Sequence, residues 1–325
     1  MPQGSVLGPL LFTSYTAPVY HIACRHGVCS HFYADDTQFS VEFPADGQSA
    51  AYCRLCGCLD ETRDWMTRNR LKLNDDKADL LLVYSTRAKR KPSLDLKLPN
   101  GSCCLTPSDS VRNLGVTFDS QLTMEKHVRG VCRMASFHLR SIGRIRRLLN
   151  RTATRALVHA FVLSRLDYCN ALFAGLPEEL INRLQRVQNA AARMIKRVKR
   201  RDHITPHLAK LHWLPVRLRI KFKILVLVYK CINGLAPVYL KELITIRQHS
   251  VNLRSSRSIL LHVPVTKKKG CGDRTFSRIA PLLWNELPSV IQTSDSLLSF
   301  KSRLKSHFFT LEYPEFCTRT QVKRL

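Results

Sequence analysis

Ser30-His31-Phe32-Tyr33-Ala34-Asp35-Asp36-Thr37-Gln38-Phe39-Ser40-Val41-Glu42-Phe43 is the stretch on which the reading of the fold turns. Phe39, Val41 and Phe43 recur at period two, and the aromatic run before the acidic pair also suits an extended chain. Two such runs flanking a polar pair form a tight hairpin with Asp35 and Asp36 at its tip. Carboxylates on a rigid turn suit hard divalent cations, because Mg²⁺ takes oxygen ligands and usually retains waters and substrate phosphates. An acidic pair in a turn is also a common solvated loop feature, so its company decides between the two.

Outward from the hairpin, Leu55, Leu59, Trp65 and Met66 suit a helix over residues 46–69. Cys53-Arg-Leu-Cys56-Gly-Cys58, with Cys24, His26 and Cys29 upstream, invites a zinc reading. No second CxxC or HxxxH stands at finger-like spacing, however, so packed, reduced thiols on that helix are expected. Asn74-Asp75-Asp76-Lys77 reads as a turn before a buried strand, Leu80–Tyr84. A basic connector, Arg87 to Pro92, follows, and then a short strand, Val111–Phe118, broken at Gly115. This first part is α+β.

After Asp119 the apolar period becomes helical. Val128, Val131, Ala135, His138, Ile142 and Ile145 trace one face; Leu180, Leu184, Val187, Ala191, Met194 and Val198 trace another. Pro215 opens a further helix that stops at Asn233-Gly234. Ile259–Val265 reads as a strand, Lys267-Lys268-Lys269-Gly270 as a loop, and Leu297, Phe300, Leu304 and Phe308 as a last amphipathic helix.

The 325 residues suffice for about two domains with a buried core, which excludes a small stapled peptide. Lys plus Arg total 52 against 24 Asp plus Glu, a formal charge of +28. The segment up to Asp119 is formally neutral, so the whole excess falls in residues 120–325. Such segregation points to a carboxylate-bearing part joined to a part that holds phosphates, with nucleic acid as the partner. The apolar stretch Val6–Phe12 has no basic residues before it and is interrupted by Gly8 and Pro9, unlike a secretory signal, and no apolar run approaches the roughly 18 residues of a membrane span. A location inside the cell, in nucleus or cytoplasm, and no membrane partner are therefore expected.

Pro2-Gln3-Gly4-Ser5-Val6-Leu7-Gly8-Pro9-Leu10-Leu11-Phe12 precedes Tyr33-Ala34-Asp35-Asp36. Leu71-Lys72-Leu73-Asn74-Asp75-Asp76-Lys77 and Asn113-Leu114-Gly115-Val116 follow. In that order the four segments resemble motifs B, C, D and E of the reverse transcriptases of non-LTR retrotransposons, the LINE type, most like the Jockey and CR1 branch. Trp284-Asn285-Glu286-Leu287-Pro288 and Ser299-Phe300-Lys301 resemble the tail of the same elements. The resemblance implies an RNA-directed DNA polymerase that adds dNTPs to a primer 3′-hydroxyl on an RNA template, using two Mg²⁺. Asp35 and Asp36 would be metal ligands flanked by Tyr33. Gln3 and Gly4 would lie along the nascent base pair, Lys77 near the triphosphate, and Leu114 and Gly115 at the primer end. Ala78 stands where the family carries a hydroxyl residue.

The same resemblance implies a partial polymerase palm, an antiparallel sheet with helices, over residues 1–119. A basic helical thumb-like domain over 120–235 and a small mixed C-terminal module over 236–325 would follow. Motif A, which supplies the other catalytic aspartate, would lie ahead of motif B, in the remaining N-terminal part of the same polyprotein, so this chain alone is expected to be inactive. Asp60 or Asp64 would otherwise have to complete the metal site from a helix without motif support.

Arg140, Arg144, Arg147, Arg151 and Arg155 recur at helical spacing and would track a phosphate backbone, since few glutamates stand at i±4 to balance them. Lys196-Arg197-Val198-Lys199-Arg200-Arg201 reads as part of that surface or as a nuclear import signal. The competing reading is a non-enzymatic nucleic-acid-binding protein derived from a retroelement, in which only the basic region is used.

Overall fold

A computed structural model describes residues 5–44, 46–85, 98–100, 103–247, 259–266 and 272–316. Gln3, Gly4, the connector from Arg87 to Pro92 and the lysine loop 267–270 lie outside the described residues. The chain divides into two compact units, Met1–Leu122 and Thr123–Leu325.

In the first unit, Pro9 and Pro18 stand in the opening turns of α1 (Gly8–Thr16) and α2 (Pro18–Arg25), where a fixed φ and a missing N–H cost nothing. Strands β1 (Cys29–Tyr33) and β2 (Asp36–Ser40) pair antiparallel, and helix α3 (Gln48–Arg68) follows. The unit's core is Ala23 of α2, Val28 and Cys58 of α3, with Phe39, Val41 and Leu55 packed against it. Burial pushes the Cys58 thiol up, as expected of a packed, reduced cysteine. Cys53, by contrast, is exposed: the buried face of α3 runs through Ala51, Cys58, Thr62 and Met66, not through the cysteine pair. Gly57 has a packing reason, since a Cβ there would come within 3.0 Å of the His26 ring. His26 Nε2 meets Glu61 at 2.8 Å and Arg25 binds the same carboxylate, clamping α2 to α3. The two hydrogen bonds, from His26 and then Arg25, hold that carboxyl below its ordinary range.

The rest of this unit is sparse in sheet. Strands β3 (Leu98–Asn100) and β4 (Cys103–Leu105) form one ribbon, β5 (Ser110–Asn113) and β6 (Val116–Asp119) another. Among the described residues the expected antiparallel sheet takes the form of three separate two-stranded ribbons. Leu80–Tyr84 is no strand either: it makes one parallel bridge, Leu80 to Pro107, and its Tyr84 N–H donates to Ser120 O. Pro107 has no N–H, so the ladder stops there.

The second unit is helical: α4 (Glu125–Ile145), α5 (Arg151–Val158), α6 (Ser164–Asp167), α7 (Glu178–Lys196), α8 (Thr205–Lys210), α9 (Val216–Ile232), α10 (Val238–Lys241), α11 (Phe276–Asn285), α12 (Ser289–Gln292) and α13 (Leu297–Glu312). A π-helical turn, His159–Leu163, joins α5 to α6. Helices α4 and α7 lie side by side in the same direction, with Glu125 near Arg183 (3.7 Å) and Arg146 Nε donating to Met194 O (3.2 Å). Helix α9 starts after Pro215 and ends at Asn233-Gly234, as its signals require. Its second half, from Ile224 to Cys231, is mostly buried, as in a central helix, while Arg217, Lys221 and Lys223 are exposed nearer its start. Gln188, fully buried on α7, donates to Leu214 O, and Gln185 accepts from Val216 N–H, so two side chains of α7 seat the start of α9.

Side chains pack across the expected boundary at residue 235. Tyr229 of α9 stacks on Phe300 of α13 at 4.4 Å, and Trp284 of α11 stacks on the same ring at 5.8 Å. Ile259–Val265 is likewise not a strand beyond the single bridge Ile246 to Leu261. Its other partners are side chains. Trp284 Nε1 donates to Ile259 O, while Asn285 accepts from Leu261 N–H and donates to Leu261 O. The Trp284-Asn285 pair therefore substitutes for a missing strand, which gives this tail motif a structural role. Among the described residues no helix is long and apolar enough to cross a membrane.

Candidate functional site

The acidic hairpin forms as the alternation requires. Tyr33 pairs with Asp36, leaving Ala34-Asp35 as a two-residue tip, so Asp35 sits on the turn and Asp36 opens β2. Ala34 holds φ 54°, a region that residues with a Cβ rarely enter. Both carboxylates are exposed, and Tyr33 beside them is 68% exposed. The base of the hairpin is anchored: Phe39 packs against the core while Gln38, on the opposite face of β2, reaches another element.

That element is the β5–β6 hairpin. The Asn113 side chain donates to Gln38 Oε1 at 2.8 Å, joining the strand that leaves the acidic pair to the strand that enters the Leu114-Gly115 turn. Leu114 and Gly115 hold φ 45° and 80°, the two positive values of a type I′ turn, so the broken strand of the sequence reading is two strands and a tip. Gly115→Val should loosen it. A β-branched residue at that φ costs roughly 1–2 kcal/mol, so amide exchange across the Asn113–Val116 pair should accelerate about tenfold. Unchanged exchange would show that the turn does not depend on glycine.

Lys77 is exposed at the end of a short 3₁₀ turn, Asp75–Lys77, whose Asp75 is held by Arg63 of α3 at 3.0 Å. Among the described residues no hydrogen bond or ion pair joins Lys77 to the acidic hairpin. Asp60 is spent partly on Arg63 (3.8 Å), and no three His, Cys, Asp or Glu side chains gather into a metal site among the described residues. Asp35 and Asp36 thus fit one side of a divalent cation's shell and no more.

The basic residues are placed differently from the sequence reading. Arg140 and Arg144 lie on α4, Arg147 in the turn after it, and Arg151 and Arg155 on α5, so the row is not one helix face. The break comes from Asn150, whose side chain accepts the Ala153 N–H at 2.7 Å and caps a new helix. Folding compensates by bringing distant runs together. Lys196 is held below its ordinary range by burial and then by Arg151, Lys210 and Arg155, and Arg146 by burial and then by Arg197 and Arg151. Arg146 was invisible in the arginine spacing. Its role shows only in three dimensions, where it bonds both Met194 O and Leu149 O. Arg197, Lys199, Arg200 and Arg201 are exposed beyond the end of α7, where Arg197 takes the left-handed cap conformation. A helix C-terminus attracts cations, so part of this charge is explained by the fold alone.

Residues 1–118 match the family model for reverse transcriptase (RNA-dependent DNA polymerase). Over 208 residues the chain is 28% identical to the "Probable RNA-directed DNA polymerase from transposon BS" of Drosophila melanogaster, which covers 60% of this chain but only 22% of that relative. The match is longer than the first unit, so it extends into the helical one. No solved structure matches. Both matches are to polymerases: residues 1–118 are similar to the reverse transcriptase family, and the chain, spanning about a fifth of that relative's length, is similar to the RNA-directed DNA polymerase of a transposon.

Proposed function

We propose that this chain is part of a LINE-type RNA-directed DNA polymerase of the Jockey and CR1 branch, whose complete form extends a DNA primer with dNTPs on an RNA template. The observation that carries the reading is the 2.8 Å bond between Asn113 and Gln38, which ties the acidic tip to the turn that resembles the primer grip. A bound divalent cation, Mg²⁺ in this proposal, supplies charge neutralisation at the reacting phosphates. Asp35 and Asp36 hold its near side, and the Leu114-Gly115 turn positions the primer end. Lys77 faces the leaving phosphates, and Gln3-Gly4 lies along the new base pair. Residues 120–235 act as a thumb on the template–primer duplex and 236–325 as its support. The run Lys196–Arg201, in which Arg197, Lys199, Arg200 and Arg201 are exposed, serves the same nucleic-acid surface. Partners are RNA template, DNA primer, dNTPs and the remaining palm of the same polyprotein.

Primer extension on poly(rA) tests this. The 325-residue polypeptide should incorporate no more dNTP than its Asp35→Asn variant, because two carboxylates from one turn leave the cation loosely placed, and misplacement of about 1 Å costs about a hundredfold. A chimaera carrying the preceding palm segment of the Drosophila relative should gain incorporation that Asp35→Asn lowers by about a hundredfold or more. Chimaera activity indifferent to Asp35→Asn would overturn the assignment.

A further inference from the structure

We propose that a cavity in the helical unit is a built site for a nucleoside phosphate, held by its phosphate on Arg155 and Lys305 and by its nucleoside on Trp213 and Asn170. The cavity holds about 740 Å³, well within the roughly 300–1,000 Å³ of small-molecule sites. Its charged lining is Arg155, Arg219, Lys223 and Lys305 against the single carboxylate of Asp167. That carboxylate is already consumed. Arg219 Nε meets Asp167 Oδ1 at 2.8 Å and its Nη2 meets the other oxygen, a bidentate pair that neutralises both members. Arg155, Lys223 and Lys305 have no ion pair among the described residues.

These cations crowd one another. Lys305 is held below its ordinary range by burial and then by Arg219 and Arg155. His212 is lowered by burial and then by Lys305, Arg155 and Lys196; His159 by burial and then by Arg155 and Arg219, with Asp167 opposing. Three helices, α5, α9 and α13, thus converge cationic side chains on one cavity, an arrangement that an anion relieves.

Two further observations point to a nucleoside, not a bare anion. Trp213 and Asn170, 3% and 4% exposed, both line the cavity, and each carries a buried polar atom without a hydrogen-bond partner among the described residues, Nε1 and Oδ1 respectively. Leaving such atoms unmet costs on the order of 1–3 kcal/mol each, so a native site that keeps them fits a ligand that satisfies one donor and one acceptor. The His159 ring stands edge-on to Trp213 at 5.5 Å, and His159 opens the π-helical turn, a distortion often found at functional sites. The cavity stands on its own residues, independently of the polymerase reading of the first unit.

Calorimetric titration of the full chain tests the assignment with three probes: inorganic phosphate, AMP, and a 5′-phosphorylated tetranucleotide beside its 5′-hydroxyl form. AMP and the phosphorylated tetranucleotide should bind, and Lys305→Gln should weaken both about tenfold or more. Arg155→Gln, at an exposed position, should do likewise if Lys305→Gln alters the fold. Trp213→Phe keeps the aromatic wall but removes the orphan N–H. It should weaken AMP several-fold and leave inorganic phosphate unchanged. Tighter binding of the tetranucleotide than of AMP identifies a strand end as the source, and equal binding a free nucleotide. Absence of binding by every phosphate probe, or affinities unmoved by both Lys305→Gln and Arg155→Gln, would overturn the site.

Discussion

Raising salt from 50 to 200 mM should weaken this protein's binding of single-stranded RNA or DNA on the order of a thousandfold. All of the +28 charge lies beyond residue 119. Folding gathers Arg151, Arg155, Lys196 and Lys210 closely enough that burial and their mutual repulsion depress Lys196. None of Arg140, Arg144, Arg147, Arg151 or Arg155 has an ion pair among the described residues, so phosphates meet cations that need not first release a carboxylate. About seven neutralised phosphates give a loss of that size on a single strand, because counterion release scales with the number of contacts. Fluorescence anisotropy across a salt series reads the slope directly. Arg151→Glu with Arg155→Glu should lower it by about two contacts. A flat salt response, or tighter binding by Met1–Leu122 than by Thr123–Leu325, would show that the charge segregation has another cause.

Trp284→Ala should destabilise the helical unit by about 3–5 kcal/mol. Trp284 is fully buried, stacks on Phe300, and donates its indole N–H to Ile259 O at 2.8 Å. Truncation empties that volume and strands the carbonyl, two of the few mechanisms that produce large losses. For a unit of this size the midpoint should fall by roughly 10 °C. Leu298→Ala, at a position 79% exposed on α13, should stay within about 0.5 kcal/mol of the parent. Thermal melts followed by circular dichroism separate the two. Similar losses from both substitutions would mean that Trp284 packs far more loosely than its burial indicates.

What could be read in advance depended on how local the cause was. The acidic hairpin follows from period-two alternation around a two-residue turn, and α9 from Pro215 at one end and Asn233-Gly234 at the other, so both are visible within a dozen or so residues. The arginine row failed as a single helix face because one side-chain hydrogen bond at Asn150 outweighs the register of five arginines. Ile259–Val265 failed as a strand because, beyond one bridge to Ile246, its partners are the side chains of Trp284 and Asn285, far along the chain, which no period can announce. The Gln38–Asn113 contact and the cavity around Arg155 and Lys305 were equally hidden, since each joins segments separated by many residues.

The two-residue tip between β1 and β2 also acts as a length gauge for the gene. Phe39 and Val41 must face the core while Gln38 faces the neighbouring hairpin, and successive residues of a strand point to opposite sides. Inserting or deleting one residue at Ala34-Asp35 would exchange those faces along all of β2, exposing Phe39 and turning Gln38 inward. Substitutions at the tip can drift one at a time, but an in-frame indel there strikes the core and the neighbouring contact together. Among decaying copies of such a sequence, the spacing from Tyr33 to Phe39 should therefore outlast the identity of most residues within it.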